Sequence, residues 1–119
     1  MNADELRART KQFAIRIVRL FQALPLTTEA QIIGKQLLRS GTSLAANYRA
    51  ACRARSRAEF ISKLAVVIEE ADETVFWLEL LVESSILPER RISELLREGN
   101  ELLSIIAASR VTAQRRTKS

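Results

Sequence analysis

The chain has 119 residues, which suffice for one domain with a substantial hydrophobic core and are too few for two. Three glycines and two prolines are typical of an all-helical protein, while one cysteine and no histidine exclude an internal disulfide and the usual zinc sites. The net charge of +5 is uneven, with a balance of +8 over residues 1–57, −7 over residues 58–109 and +4 over the last ten residues. Such asymmetry is typical of chains that bind a polyanion or associate with copies of themselves.

The sequence predicts a soluble, cytoplasmic protein. Its start, Met-Asn-Ala-Asp-Glu, is acidic where a signal peptide would be basic. No apolar run approaches the roughly 20 residues that cross a bilayer, so we expect no membrane partner. A single cysteine also suits a reducing compartment.

The first predicted helix spans residues 4–24, with Asp4 as its N-cap and Pro25 closing it. Its apolar stripe recurs at helical spacing and contains Phe13, Ile17, Leu20 and Leu24. The second helix spans residues 28–54 and begins at a capping box formed by Thr28 and Gln31. Its predicted buried face contains Ile33, Leu37, Ser40, Leu44, Asn47 and Ala51.

Polar residues interrupt the buried face of the second helix. Ser40 and Asn47 stand where leucine or isoleucine would be usual, and Gly41 and Ser43 lie among them. We interpret these side chains as satisfied polar core positions that fix helix register. The small residues predict close approach of a neighbouring helix.

The third predicted helix spans residues 57–84 and follows a Ser56–Glu59 capping box. Its core positions keep a heptad spacing and are Phe60, Leu64, Val67, Ala71, Thr74, Leu78 and Leu81. The fourth helix spans residues 88–110 with Pro88 in its first turn, and the basic tail 111–119 is expected to fray. Four amphipathic helices with short connections predict an all-α, single up-down-up-down antiparallel four-helix bundle over residues 1–119.

Between Gln36 and Leu81 the chain resembles the four-helix-bundle family of 23S rRNA intervening-sequence proteins. The matching segments are Gln36-Leu37-Leu38-Arg39-Ser40, Ser43-Leu44-Ala45-Ala46-Asn47, Ser56-Arg57-Ala58-Glu59-Phe60 and the Glu/Leu-rich run that ends at Leu81. The chain departs from the family at Arg49-Ala50-Ala51, where many members have Ala-Glu-Gly, so a role for that glutamate does not carry over.

The resemblance implies a four-helix bundle that forms a homopentameric ring. A related group, the accessory variability proteins of diversity-generating retroelements, consists of basic pentamers that engage a reverse transcriptase and nucleic acid. Most members of the family have no established biochemical activity, so the family name does not imply a ribosomal function.

A row of cations lies opposite the predicted buried face of the second helix and indicates a phosphate-binding surface. With the turn and the tail, the candidate residues for nucleic-acid binding are Lys35, Arg39, Arg49, Arg53, Arg55, Arg57, Arg115 and Arg116. No exposed aromatic row accompanies them, so stacking on single-stranded bases is not predicted. The alternative is an ordinary solvated basic face.

The third helix carries a second stripe away from its core, which predicts an oligomer interface. The candidate residues are Val66, Glu69, Glu73, Phe76, Trp77 and Leu80. We expect this acidic and apolar stripe and the basic stripe to face apart on one subunit and to meet between subunits. Contacts between unlike surfaces that close on themselves make rings.

Three functions remain open at this point. The first is a non-enzymatic homo-oligomer that binds RNA, DNA or a nucleic-acid enzyme, and the second is a purely structural module whose charges serve assembly. The third is a Mg²⁺-dependent all-α nucleotide hydrolase, because acids stand three apart at Glu69/Asp72, Glu70/Glu73 and Glu98/Glu101. Cys52 has arginines nearby but no histidine base. We predict no catalytic residue, no metal site and no cofactor.

Overall fold

Four helices make up the protein in a computed structural model that describes residues 1–118, with side chains described through residue 116. They are α1 (Ala3–Gln22), α2 (Thr28–Cys52), α3 (Arg57–Glu83) and α4 (Glu89–Lys118). Each helix packs against its neighbour in the chain, and α1 closes the bundle against α4, which confirms the predicted fold class. The bundle measures 51 × 20 × 20 Å. No helix within residues 1–118 is long and apolar enough to cross a membrane.

The helices are arranged so that α1 and α3 lie on one diagonal of the bundle and α2 and α4 on the other. Within the described part of the chain, the backbone of α1 approaches α2 and α4 but not α3. The outward faces of α1 and α3 therefore point in opposite directions. The alternating chain direction also places the start of α1, the end of α2, the start of α3 and the end of α4 at one end of the bundle.

Each of the first three helices begins at a polar N-cap. The Ser56 hydroxyl accepts a hydrogen bond from the backbone N–H of Glu59 at 3.1 Å, which confirms the predicted cap of α3. The other two predicted caps are wrong by one or two residues. Asn2 caps α1 through the Glu5 N–H at 2.8 Å, and Thr27 caps α2. An N-cap residue needs an extended backbone, which Asn2 and Thr27 have, whereas Asp4 already lies within the first turn.

A Schellman motif ends α3. Ser85 has a φ of 61°, in the left-handed region that favours glycine. The N–H of Ile86 donates to the carbonyl of Leu81 at 3.0 Å, and the N–H of Ser85 donates to the carbonyl of Val82 at 3.0 Å. These two bonds satisfy carbonyls that the helix leaves open, and they turn the chain into α4.

The core follows the predicted apolar spacing. Its largest fully buried hydrophobic side chains come from all four helices and include Phe13, Ile17, Leu37, Leu44, Leu64, Leu78, Leu81, Ile92, Leu102 and Ile106. Among the residues predicted to be in the core, Ile33, Asn47 and Phe60 are only half-buried. They lie at the edges of the apolar stripes.

Close approach of α1 to α2 occurs at Gly41, as the small residues predict. A Cβ atom at this position would lie 2.9 Å from Cγ2 of Ile17, which is fully buried. Glycine is therefore required by packing at this point of the helix, despite its low helix propensity.

One polar pair crosses the core between α2 and α3. Ser40 and Thr74 are both fully buried, and their hydroxyl oxygens lie 3.0 Å apart. Each hydroxyl is also within reach of a carbonyl of its own helix, Leu37 at 3.3 Å and Glu70 at 2.7 Å. By contrast, Asn47 is half-buried and donates to the carbonyl and hydroxyl oxygens of Ser43, both at 2.9 Å, within α2. Among the three predicted register residues, only Ser40 has a hydrogen bond to another helix.

The prediction that helix 4 ends at Arg110 is wrong, because α4 continues to Lys118. That the tail frays stays a prediction, and residue 119 lies outside the described residues. Ala113 is buried, with 5% of its surface exposed. The Arg110 guanidinium donates to the carbonyl of Ile61 at 3.1 Å and fastens this part of α4 to the start of α3. Packing on α3 thus extends the helix past the point where its apolar period weakens.

Candidate nucleic-acid interface

Four cations line a cleft of about 470 Å³ between the first half of α1 and the last turns of α2. Arg7 and Lys11 come from α1, and Arg49 and Arg53 come from α2. Each pair has i, i+4 spacing, which places both members on one face of their helix. Because α1 and α2 are antiparallel, the two pairs face each other. We call these four residues and the space between them the α1/α2 cleft.

The α1/α2 cleft has a large excess of positive charge. Asp4 is the one acid that lines it, and its carboxylate contacts Arg7 at 3.0 Å. Lys11, Arg49 and Arg53 are exposed and have no ion-pair partner within 4.0 Å in the described part of the chain. Unpaired cations that face each other repel, and a bound anion would relieve this repulsion.

The phenol of Tyr48 is buried beside the α1/α2 cleft and adds no negative charge to it. Tyr48 precedes Arg49 and is 3% exposed. Burial raises the pKa of Tyr48, the neighbouring Cys52 raises it further, and Arg7 opposes both effects. The phenol is therefore neutral at physiological pH, and the cleft keeps its positive charge.

Other cations that were predicted to bind nucleic acid lie at the same end of the bundle as the α1/α2 cleft. Arg55 and Arg57 precede and begin α3, and Arg115 and Arg116 belong to the last turns of α4. Arg57 and Arg116 line one groove of about 720 Å³ with Phe60, while Arg55 lies 3.8 Å from Glu59. We call this end the basic end. It comprises Arg7, Lys11, Arg49, Arg53, Arg55, Arg57, Arg115 and Arg116.

The cations predicted to form one basic stripe along α2 do not form a continuous positively charged surface. Arg39 contacts Glu70 of α3 at 3.1 Å and also binds Glu73. The hydrogen bond from the Arg39 guanidinium lowers the pKa of the Glu73 carboxyl, and the bond from the Trp77 indole N–H adds to this. The interpretation that the two stripes face apart is wrong, because α2 and α3 are neighbours and Arg39 spans them. Lys35 remains exposed but lies toward the other end of α2.

The outward face of α3 combines carboxylates with exposed hydrophobic side chains. Val66 is 41% exposed and Phe76 is 52% exposed. The Phe76 and Trp77 rings pack edge-to-face with centroids 4.9 Å apart. Trp77, Leu80 and Glu73 are half-buried, whereas the exposed acids are Glu69, Asp72, Glu79 and Glu83. We call the exposed residues Val66, Glu69, Asp72, Phe76, Glu79 and Glu83 the α3 face. It points away from α1.

Two of the three carboxylate pairs considered for Mg²⁺ are bound to arginine. Glu70 and Glu73 bind Arg39, as described above. Glu98 and Glu101 both contact Arg9 of α1, at 2.6 and 3.0 Å. Across residues 1–118, no group of three or more histidine, cysteine, aspartate or glutamate residues could hold a metal ion.

The contact between Arg9 and Glu98 joins α1 to α4. The guanidinium donates through Nε at 2.7 Å and through Nη2 at 2.6 Å, one bond to each carboxylate oxygen. The Arg9 hydrogen bond lowers the pKa of Glu98, and desolvation only partly opposes this effect. The sequence pattern alone does not predict this pair. The spacing could have indicated this position, because Arg9 lies four residues before Phe13 and therefore at the edge of the apolar stripe.

The comparison with known proteins identifies the family. The model of the family described as 23S rRNA-intervening sequence protein matches residues 5–108. The fold is similar to the crystal structure of a protein of unknown function from the S23 ribosomal protein family of Bacteroides thetaiotaomicron, with a TM-score of 0.86 and 34% sequence identity over 92% of this chain and 98% of that chain. No curated protein matches the chain. The link to retroelement accessory proteins stays a prediction. The chain belongs to the family of 23S rRNA-intervening sequence proteins.

Proposed function

We propose that the protein is a non-enzymatic, oligomeric bundle that binds nucleic acid through its basic end, without sequence specificity. The observation that supports this most directly is the convergence of Arg7, Lys11, Arg49 and Arg53 on one cleft with a single acid. Lysine and arginine that contact phosphates release condensed counterions, which supplies most of the affinity in non-specific binding. Two of the three carboxylate pairs considered for catalysis are engaged in ion pairs at Arg9 and Arg39, which supports a role without chemistry.

A matched pair of variants tests the proposal. In the cleft variant, Arg49→Gln and Arg53→Gln remove two exposed cations of the α1/α2 cleft. In the control variant, Lys35→Gln and Arg97→Gln remove two exposed cations that line no part of it. Fluorescence anisotropy with a labelled RNA and a labelled DNA duplex would be measured between about 50 and 200 mM salt, the range over which phosphate contacts change affinity most.

We expect the wild type to bind both nucleic acids and to weaken as salt rises. The cleft variant should bind more weakly at every salt concentration, and its slope of log K against log salt should fall by about two, one for each lost phosphate contact. The control variant should keep most of the wild-type slope. No binding by the wild type at low salt, or equal losses in both variants, would refute the role of the cleft.

Self-association is the second part of the proposal, and the α3 face supports it. Phe76 is 52% exposed and packs edge-to-face on Trp77 beside carboxylates, and aromatic side chains are enriched in protein interfaces. The acids of the α3 face complement cations on the surface of another copy, and contact between unlike surfaces can close into a ring. The resemblance to pentameric relatives favours a ring of five copies of the 13.4 kDa chain.

Light scattering at micromolar concentration tests the oligomer. We expect a mass near five subunits for the wild type and a lower mass for Phe76→Ser. Ser62→Ala, another exposed position of α3, is the control and should leave the mass unchanged. A monomeric wild type would disprove this part of the proposal.

Charge reversal separates nucleic-acid binding from the alternative, a purely structural module. If Arg49→Glu and Arg53→Glu dissociate the oligomer, these arginines belong to the subunit interface. If the mass is unchanged and nucleic-acid binding is lost, they belong to the ligand surface, as we propose.

A further inference from the structure

A second group of cations lies at the far end of α1 from the α1/α2 cleft. Arg16 and Arg19 of α1 and Arg90 and Arg91 of α4 line a cleft of about 300 Å³. Its single acid is Glu94, which contacts Arg16 at 3.7 Å. Arg19, Arg90 and Arg91 are exposed and have no ion-pair partner within 4.0 Å in the described part of the chain. We call these four residues the α1/α4 cluster.

Between the α1/α2 cleft and the α1/α4 cluster, α1 itself carries no acid, and the acids that α4 brings against it there, Glu98 and Glu101, are paired with Arg9. The chain has no acid from residue 6 to residue 28. Along α1, the midpoint of Arg7 and Lys11 and the midpoint of Arg16 and Arg19 are about 13 Å apart, from a rise of 1.5 Å per residue. The α1/α2 cleft lies on one flank of α1 and the α1/α4 cluster lies on the other, so a line between them crosses the exposed face of the helix.

The distance is larger than one phosphate group can bridge. Neighbouring phosphates follow the axis of a duplex at about 3.4 Å per strand, so 13 Å corresponds to about four base pairs. Because the α1/α2 cleft and the α1/α4 cluster lie on opposite flanks of α1, their full separation exceeds this distance along the helix. A ligand that contacts both must therefore be a polyanion with more than one phosphate.

We propose that the α1/α4 cluster is a second phosphate-binding site, and that the α1/α2 cleft and the α1/α4 cluster together hold one nucleic-acid duplex across the outer face of α1. This inference rests on the function proposed above and specifies its ligand class. A duplex is stiff over about 150 base pairs, so contact with one cluster places phosphates at the other without further ordering of the ligand. The second contact is then effectively intramolecular and adds affinity. A flexible single strand lacks this advantage.

Two ligands and a matched pair of variants test the duplex inference. The ligands are a 16-base-pair duplex and a 16-nucleotide single strand of one of its sequences, measured by anisotropy at the same salt concentrations. The cluster variant carries Arg19→Gln and Arg91→Gln. It leaves Arg16 in place because Arg16 contacts Glu94. The control is Lys35→Gln with Lys63→Gln, which removes the same charge outside both the α1/α2 cleft and the α1/α4 cluster.

We expect the wild type to prefer the duplex. The cluster variant should bind the duplex at least about tenfold more weakly, with a salt slope smaller by about two, and should change single-strand binding less than about threefold. Circular dichroism should show the same helix content for all variants.

Three results would overturn the inference. Duplex binding by the cluster variant that equals wild type would show that the cluster makes no contact. Equal losses of affinity for the duplex and the single strand would show that the cluster does not favour a duplex. An equal loss of affinity in the control variant would show that the effect comes from net charge alone. These failures leave the α1/α2 cleft intact, whereas failure of the proposed function would appear as no binding by the wild type or no effect of the cleft variant.

Discussion

The ion pair between Arg9 and Glu98 gives a sharp prediction about stability. It joins α1 to α4, the two neighbouring helices whose backbones approach each other least. The Arg9 and Glu98 side chains are 23% and 20% exposed, so both charges are largely removed from water. We predict that Arg9→Met destabilises the fold more than Glu98→Gln does.

The difference follows from what each substitution leaves behind. Methionine keeps the aliphatic contacts of Arg9 but leaves the Glu98 carboxylate mostly buried without its cation. Exposed ion pairs contribute about 0.2–1 kcal/mol and loss of one partner of a buried pair costs about 3–5 kcal/mol, so we expect Arg9→Met to cost about 2–3 kcal/mol. After Glu98→Gln, Arg9 retains Glu101 at 3.0 Å, and the cost should be about 1 kcal/mol.

Urea denaturation followed by far-UV circular dichroism measures both costs. The protein concentration must be the same in every experiment, because association stabilises the folded state by mass action. Equal dependence on urea concentration in all variants would show that the folded and unfolded states expose similar surface, so that midpoints can be compared.

The pH dependence follows from the lowered pKa of Glu98, whose ordinary value is 4.5. A carboxyl with a lower pKa in the folded state contributes stability above its unfolded pKa and loses it as the pH falls through the folded pKa. The difference between wild type and Arg9→Met should therefore shrink from pH 7 to pH 3. Equal costs for Arg9→Met and Glu98→Gln, or a difference in stability independent of pH, would show that Glu98 does not need Arg9 as its cation.

Three further predictions concern packing, the turn after α3 and the polar pair in the core. Gly41→Ala should destabilise the fold by about 1 kcal/mol, because overpacking against α1 outweighs the gain in helix propensity. Gly99→Ala should be close to neutral in the same denaturation assay, because its Cβ would lie 3.2 Å from the nearest atom. Ser85→Gly should stabilise by about 0.5–1 kcal/mol, because glycine adopts a φ of 61° without strain; a lower midpoint would contradict this. Ser40→Ala and Thr74→Val should each cost about 1 kcal/mol, since each remaining hydroxyl keeps a carbonyl of its own helix, and a double-mutant cycle should give a coupling of about 0.5–1.5 kcal/mol.

Helix positions and core residues are predictable from this sequence because both depend on local spacing. The heptad series of α3 predicts Leu64, Val67, Ala71, Leu78 and Leu81, and the structure buries all five. Helix ends are less predictable. Asn2 and Thr27 become caps through their backbone angles, and α4 extends beyond Arg110 because a different helix covers it.

The candidate site shows the same difference between local and tertiary information. Arg49 and Arg53 share a helix face, which their spacing predicts. Their partners Arg7 and Lys11 follow only from the pairing of α1 with α2. Arg39 was predicted to be a free cation because its acidic partners lie 31 and 34 residues away in the chain.

The diagonal placement of α1 and α3 gives each subunit a permanent electric dipole, since cations concentrate around α1 and carboxylates on the α3 face. The field of a polyanion turns such a molecule before contact, so that most encounters begin with the basic side.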